Sequence, residues 1–241
     1  MIIATNINEE YYNRKHKLWV DSVNKYFKDE SLIFTMGFSL EGSLQLELDK
    51  LPYSKHPRLK NRANFVCLES GEFVDFIDYP DDEILILTDW DLVVQREFLD
   101  VELDALNSLG EYEFGMNRDH YPCNKLKGYL GIDKAHSDIS DDWIVYNTGV
   151  QAGRVSAWKK LFEYWKGYYD ETYAKMTHHA TGQALFNYII QKHGMVKEMP
   201  LTFHNAHWFH GTPSKIQNNQ LYVGDDLVCF NHHKWAYQPT F

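Results

Sequence analysis

The chain has 241 residues, 44% hydrophobic and 24% charged, a composition that supplies a full core and a length that fits one domain. Its formal net charge of -10 argues against nucleic acid as a partner, because phosphate backbones recruit basic surfaces. Cys67, Cys123 and Cys229 are too scattered for a disulfide framework or a metal spacing, and no apolar stretch reaches membrane-spanning length, so a cytoplasmic setting is expected (host cytoplasm for a viral protein).

The first apolar run, residues 1–4, is too short for a signal peptide and reads as the start of a strand ending at Asn6. Asn8 suits a helix N-cap, and Glu9 and Glu10 suit a first turn. Tyr12, His16, Trp19, Val23 and Tyr26 then recur at three- and four-residue steps, one face of a helix. Residues 32–34 form a second strand, and strand-helix-strand implies a right-handed crossover and a parallel pair. Residues 39–62 read as loop, 64–77 as a largely apolar helix, and 79–82 as a turn. The run Ile84-Leu85-Ile86-Leu87-Thr88 has no polar alternation, the pattern of a strand buried on both faces of a parallel sheet.

Asp89-Trp90-Asp91 follows, then a polar helix over 97–108. Residues 115–142 are irregular and rich in Gly, Asp and Asn; so long a loop in a compact domain is usually functional or mobile. Residues 143–146 read as a strand ending at Asn147-Thr148-Gly149-Val150, and 156–173 as an aromatic-rich helix. Thr181 is placed to cap a helix that ends before Gly194. Residues 227–230 form the last strand, leading into Asn231-His232-His233-Lys234-Trp235.

Open parallel sheets bind ligands at the carboxyl ends of their strands. Two carboxylates one residue apart at such an end suit a hard divalent cation, which commonly bridges protein to nucleotide phosphates. The pattern therefore points to a metal-dependent enzyme acting on a phosphorylated substrate. Other signals have plainer readings. Trp158, Phe162 and Trp165 fit helical spacing and read as core. His204, His207 and His210 mimic a zinc cluster, but a strand does not put i and i+3 on one face. Trp208, Trp235 and Tyr121 are candidates for stacking on a sugar.

The ordered set of a strand-helix-strand opening, a buried strand into Asp-x-Asp, Asn-x-Gly-Val, a Gln-led helix, and a final strand into His and Lys-Trp resembles the GT-A nucleotide-sugar glycosyltransferases. It is most similar to retaining family 8, which holds glycogenin and the bacterial lipooligosaccharide galactosyltransferases. The resemblance implies an α/β, Rossmann-like domain with a mostly parallel central sheet flanked by helices. It implies one catalytic domain over 1–241, with a nucleotide-binding half at 1–110 and an acceptor-binding half at 111–241. Its partners would be a nucleotide-sugar donor, a UDP-sugar first, and a carbohydrate acceptor, with Mn²⁺ or Mg²⁺ as cofactor.

Residue by residue, the resemblance makes Asp89 and Asp91 metal ligands, with Asp89 also serving the ribose or sugar. It gives the C-terminal metal ligand to His232 or His233; strand alternation lets only one of them reach the metal, and His232 is preferred. Lys234 would lie on the diphosphate, Thr5 and Asn6 by the base and ribose, and Tyr11 as a stacking partner. Asn147 would face the transferred sugar or acceptor, and Gln183 the anomeric carbon. Two departures stand out: Gly182 replaces the family's Asp before Gln, and the terminal motif lacks its Gly and Pro. With no acid ahead of Gln183, the usual base of inverting enzymes is vacant and retention is expected. Asp138, Asp141 and Asp142 are the carboxylates the long loop offers instead, and Asp142 is kept as a catalytic candidate. The rival readings are a sugar-phosphate nucleotidyltransferase and a non-catalytic carbohydrate-binding protein. The first would want a Gly-rich basic loop after the first strand, where this chain has Asn6-Ile7-Asn8-Glu9-Glu10. The second would bind glycan without nucleotide or metal.

Overall fold

The structure, a computed structural model, describes residues 1–27, 31–53, 63–119, 125–176, 178, 181–205 and 214–232. Its centre is a seven-stranded sheet built from β1 (Ile2–Asn8), β2 (Ser31–Met36), β3 (Leu44–Leu46), β4 (Ile84–Thr88), β6 (Phe114–Met116), β7 (Val150–Arg154) and β8 (Val196–Glu198). The spatial order is β3-β2-β1-β4-β7-β6-β8. β1, β2, β3 and β4 pair in parallel, β7 runs antiparallel to both β4 and β6, and β6 and β8 are parallel. All five residues of β4 are buried, as a strand with apolar side chains on both faces requires. The helices α1 (Glu9–Tyr26), α2 (Ala63–Ser70), α3 (Asp100–Asn107), α4 (Val155–Lys175) and α5 (Thr181–Lys192) complete the α/β architecture. Trp158, Phe162 and Trp165 are buried in the main core, as their spacing indicates.

Several elements differ from the sequence reading. The stretch 64–77 is not one helix: α2 ends at Ser70, Gly71 takes φ 74, and a 3-10 turn covers Glu72–Phe76. A Cβ at residue 71 would lie 2.9 Å from the Trp158 carbonyl, so glycine is required there by both backbone and space. The expected loop at 39–62 contains β3.

Residues 143–146 are extended but are not a strand of the sheet. Asn187 and Gln191, one turn apart on α5, act as the missing neighbour. The Asn187 amide accepts from Tyr146 N (2.6 Å) and donates to Tyr146 O (2.9 Å); Gln191 does the same for Ile144 (2.9 and 2.7 Å). The backbone groups are thus satisfied by side chains. The true strand, β7, begins after Asn147-Thr148-Gly149. Because it runs antiparallel to β4, its start lies at the carboxyl end of β4, and Asn147 reaches the predicted rim by the opposite chain direction.

The expected last strand is divided as well. β12 (Asp226–Leu227) closes a three-stranded meander with β10 (Ser214–Gln217) and β11 (Gln220–Val223). β13 (Phe230–Asn231) lies between β5 (Val93–Val94) and β9 (His204–Asn205). Among the described residues no helix is long and apolar enough to cross a membrane. Cys67 and Cys229 are buried.

Candidate functional site

The β5–β13 pairing assembles the first cluster. Asn231 is opposite Val93, so the residue after β13, His232, comes beside the segment that follows β4. His232 Nε2 lies 3.4 Å from Asp89 Oδ2 and 3.6 Å from Asp91 Oδ1. One ligand atom from each of the three residues falls within 4.8 Å of the others. Two carboxylate oxygens and an imidazole nitrogen form a donor set that suits Mn²⁺ among the common divalent ions. The residues present therefore fit the expected cation. Behind them His204 is fully buried, its ring centroid 5.6 Å from that of His232. Burial, and secondarily His232, hold its imidazole well below the usual histidine range, so it packs as a neutral ring.

Gly149 joins this cluster to a second one. Its nitrogen donates to Asn147 Oδ1 and its carbonyl accepts from Asp89 N, each at 2.8 Å. A Cβ on it would stand 2.5 Å from His232 Cε1 and Nδ1. Asn147 Nδ2 in turn donates to Asp119 Oδ2 at 3.2 Å, and Gln183 Nε2 donates to the same oxygen at 3.2 Å. A continuous chain of hydrogen bonds thus runs from the Asp-x-Asp segment through Gly149, Asn147 and Asp119 to Gln183. Asp119 is held there because the chain after β6 pairs with 145–147: Asp119 N donates to Val145 O at 2.8 Å and Asn147 N to Asn117 O at 3.0 Å.

The third group lies at the start of α5. Glu69, near the end of α2, is buried, and its Oε1 accepts from Thr148 Oγ1 at 3.2 Å. Its Oε2 lies 2.0 Å from the point where a Cβ on Gly182 would be. The stretch ahead of Gln183 is free of acid in sequence but not in space, which removes the vacancy on which the sequence argument for retention drew. Thr181, expected as a side-chain cap, instead donates its hydroxyl to the His178 carbonyl.

At the end of β1, Thr5 is buried and donates to the Thr88 carbonyl at 2.8 Å. Asn6 is 1% exposed, and among the described residues neither atom of its amide has a hydrogen-bond partner. Beside them lies a pocket lined by Thr5, Ile7, Trp19, Val20, Ile33, Leu40 and Trp90. Trp19 Nε1 fixes one wall by donating to Thr88 Oγ1 at 2.7 Å.

The structure therefore brings together Asp89, Asp91 and His232, and brings together Asn147 and Gln183. It keeps the three loop aspartates elsewhere engaged. Asp142 is exposed and accepts from Ser140, Asp141 pairs with Lys127, and Asp138 pairs with Lys192 and Tyr188. The side chain of Tyr11, in α1, is not described, and His233 and Lys234 lie outside the described residues, as do Tyr121, His207, Trp208, His210 and Trp235. Sequence reasoning missed Asp119 and Glu69. Asp119 had only its place in the irregular loop to mark it, and Glu69 looked like one polar position on an apolar helix.

No protein-family model and no curated protein matches the sequence. Solved structures do match the fold. The galactosyltransferase LgtC in complex with donor and acceptor sugar analogs superposes with TM-score 0.68 at 14% identity, covering 97% of this chain and 87% of that one. An active-site Gln→Glu mutant of LgtC gives 0.66 at 15% identity, with 97% and 87% coverage. Mouse xyloside xylosyltransferase 1, apo form, gives 0.60 at 14% identity and covers 97% of both chains. The chain has the GT-A fold of these glycosyltransferases.

Proposed function

We propose that the protein is a metal-dependent glycosyltransferase that moves a sugar from a nucleoside-diphosphate donor, UDP first, to a hydroxyl of a carbohydrate acceptor. The observation that carries this is the Asp89, Asp91 and His232 cluster at the carboxyl end of β4, linked by hydrogen bonds to Asn147 and Gln183. LgtC, bound to donor and acceptor sugar analogs, has the same fold, and its active site contains a glutamine.

In this reading Asp89, Asp91 and His232 hold Mn²⁺, which when bound offsets negative charge on the departing diphosphate. Thr5 and Asn6, at the end of β1, lie by the base and ribose. Residues 1–110 then carry the nucleotide and 111–241 the acceptor side. Asp119 fixes the two amides, so that Asn147 and Gln183 present oriented dipoles to the sugar where positive charge develops. Lys234, if it follows His232 into the site, supplies a cation for the diphosphate. We propose retention on the resemblance to family 8 alone.

Thermal shift with UDP, GDP, CDP and dTDP, each with and without Mn²⁺, tests the reading, because a ligand that prefers the folded state raises apparent stability. Stabilisation by UDP that needs Mn²⁺ and is lost in Asp91→Asn is the expected result. Binding that ignores both the metal and the variant refutes the site. NMR of the product anomer decides the stereochemistry.

A further inference from the structure

We propose that Glu69 recognises hydroxyls of the transferred sugar, a specificity-determining contact that rests on the glycosyltransferase reading above. The carboxylate is held by one oxygen and packs its other against the start of α5. Oε1 takes the hydroxyl of Thr148, the residue after Asn147. Oε2 lies against Gly182, the residue before Gln183, at 2.0 Å from the position of a Cβ there. Glu69 therefore touches the chain neighbours of both amides that Asp119 ties together. Gly182 is glycine because this oxygen occupies the space a side chain would need.

The chemistry suits sugar hydroxyls. A carboxylate is an acceptor with several lone-pair sites, and O–H donors to it make shorter and stronger bonds than donors to a neutral oxygen. The start of α5, a helix of 12 residues, favours negative charge at that point. The buried Tyr173 hydroxyl, 3.4 Å from the same Cβ position, adds a polar wall. Burial, and then the charge of Glu69, push its pKa up, so it remains a neutral phenol.

Calorimetry in Mn²⁺ tests this with UDP, UDP-glucose, UDP-galactose, UDP-N-acetylglucosamine and UDP-xylose. Glu69→Ala should leave UDP affinity within about twofold of wild type, which also reports an intact fold. The affinity ratio of the best UDP-sugar to UDP should fall about tenfold or more, the size of a lost charged hydrogen bond. Gly182→Asp alone collides with Glu69. Combined with Glu69→Ala, it returns a carboxylate to the same space from α5 and should recover part of the lost ratio. An unchanged ratio in Glu69→Ala, equal losses for UDP and UDP-sugar, or a double variant no better than Glu69→Ala each overturns the assignment while the wider reading stands. Wild-type protein that binds neither UDP nor any UDP-sugar refutes that reading, and this proposal with it.

Discussion

Gly149→Ala is the sharpest test of the metal cluster, because it adds one methyl group and removes no ligand. The new Cβ would lie 2.5 Å from His232 Cε1 and Nδ1 and 2.8 Å from Asn147 Oδ1. Ordinary contact begins near 3.4 Å, so the imidazole must retreat by about 0.9 Å. His232 is 3% exposed and has little room to do so. Metal–ligand distances tolerate only about 0.2 Å, so the displacement is several times what coordination allows. Disturbing the support of a ligand typically costs about 10- to 100-fold in metal affinity. The crowding itself should lower unfolding free energy by about 1–3 kcal/mol. Calorimetric titration with Mn²⁺, alongside urea denaturation, measures both. A variant that folds and binds Mn²⁺ within about twofold of wild type would show that His232 is not a ligand.

The other expectations test separate parts of the molecule. Gln183→Ala should lower kcat far more than it weakens UDP binding, since an interaction made only in the transition state acts on kcat; an effect confined to KM would contradict its role. Asn6→Leu should raise the urea midpoint by removing a buried amide that has no partner among the described residues, while weakening UDP binding; loss of stability would mean that the amide is satisfied in solution. Glu102→Ala should destabilise by about 3–5 kcal/mol, because it leaves Arg96, which spans both Glu102 oxygens at 2.6 and 2.8 Å, as an uncompensated charge; a change under about 1 kcal/mol would count against that pair. His136 is held below its usual pKa by burial, so the unfolded chain binds the proton first as pH falls. Its stabilising contribution is present above about pH 6.5 and is lost below it, by at most about 1.4 kcal/mol per pH unit. His136→Phe should flatten that part of a denaturation–pH series, and an unchanged slope would exclude His136 as the cause.

What was legible in the sequence followed from short-range pattern. The β4 run, the α1 periodicity and the Asp-x-Asp position each depend on neighbours a few residues apart, and each is where it was expected. The preference for His232 rested on alternation past a short strand; the β5–β13 register brings His232 beside Asp89 and Asp91, while His233 lies outside the described residues. Residues 143–146 misled because they pair on one side only through isolated bridges, Ile144 with Lys125 and Tyr146 with Arg118, and take their partners on the other side from α5; nothing local distinguishes an amide side chain from a neighbouring strand. Asp119 and Glu69 were invisible for the same reason. One is placed by pairing with 145–147, the other by packing against a glycine 113 positions later.

The pairing of β5 with β13 also has a bearing on the order of events as the chain is made. Asp91 leaves the ribosome about 140 residues ahead of His232, and by then every strand of the seven-stranded sheet already exists. The sheet can form around two acidic ligands while the third is still being synthesised. A contact across so long a span carries a large loop-closure cost and belongs to the slow end of assembly. A cation held by all three groups would therefore act as a latch on β13. Binding the ion and docking β13 would be one equilibrium, and depletion of the ion would be felt first as undocking of β13 from β5.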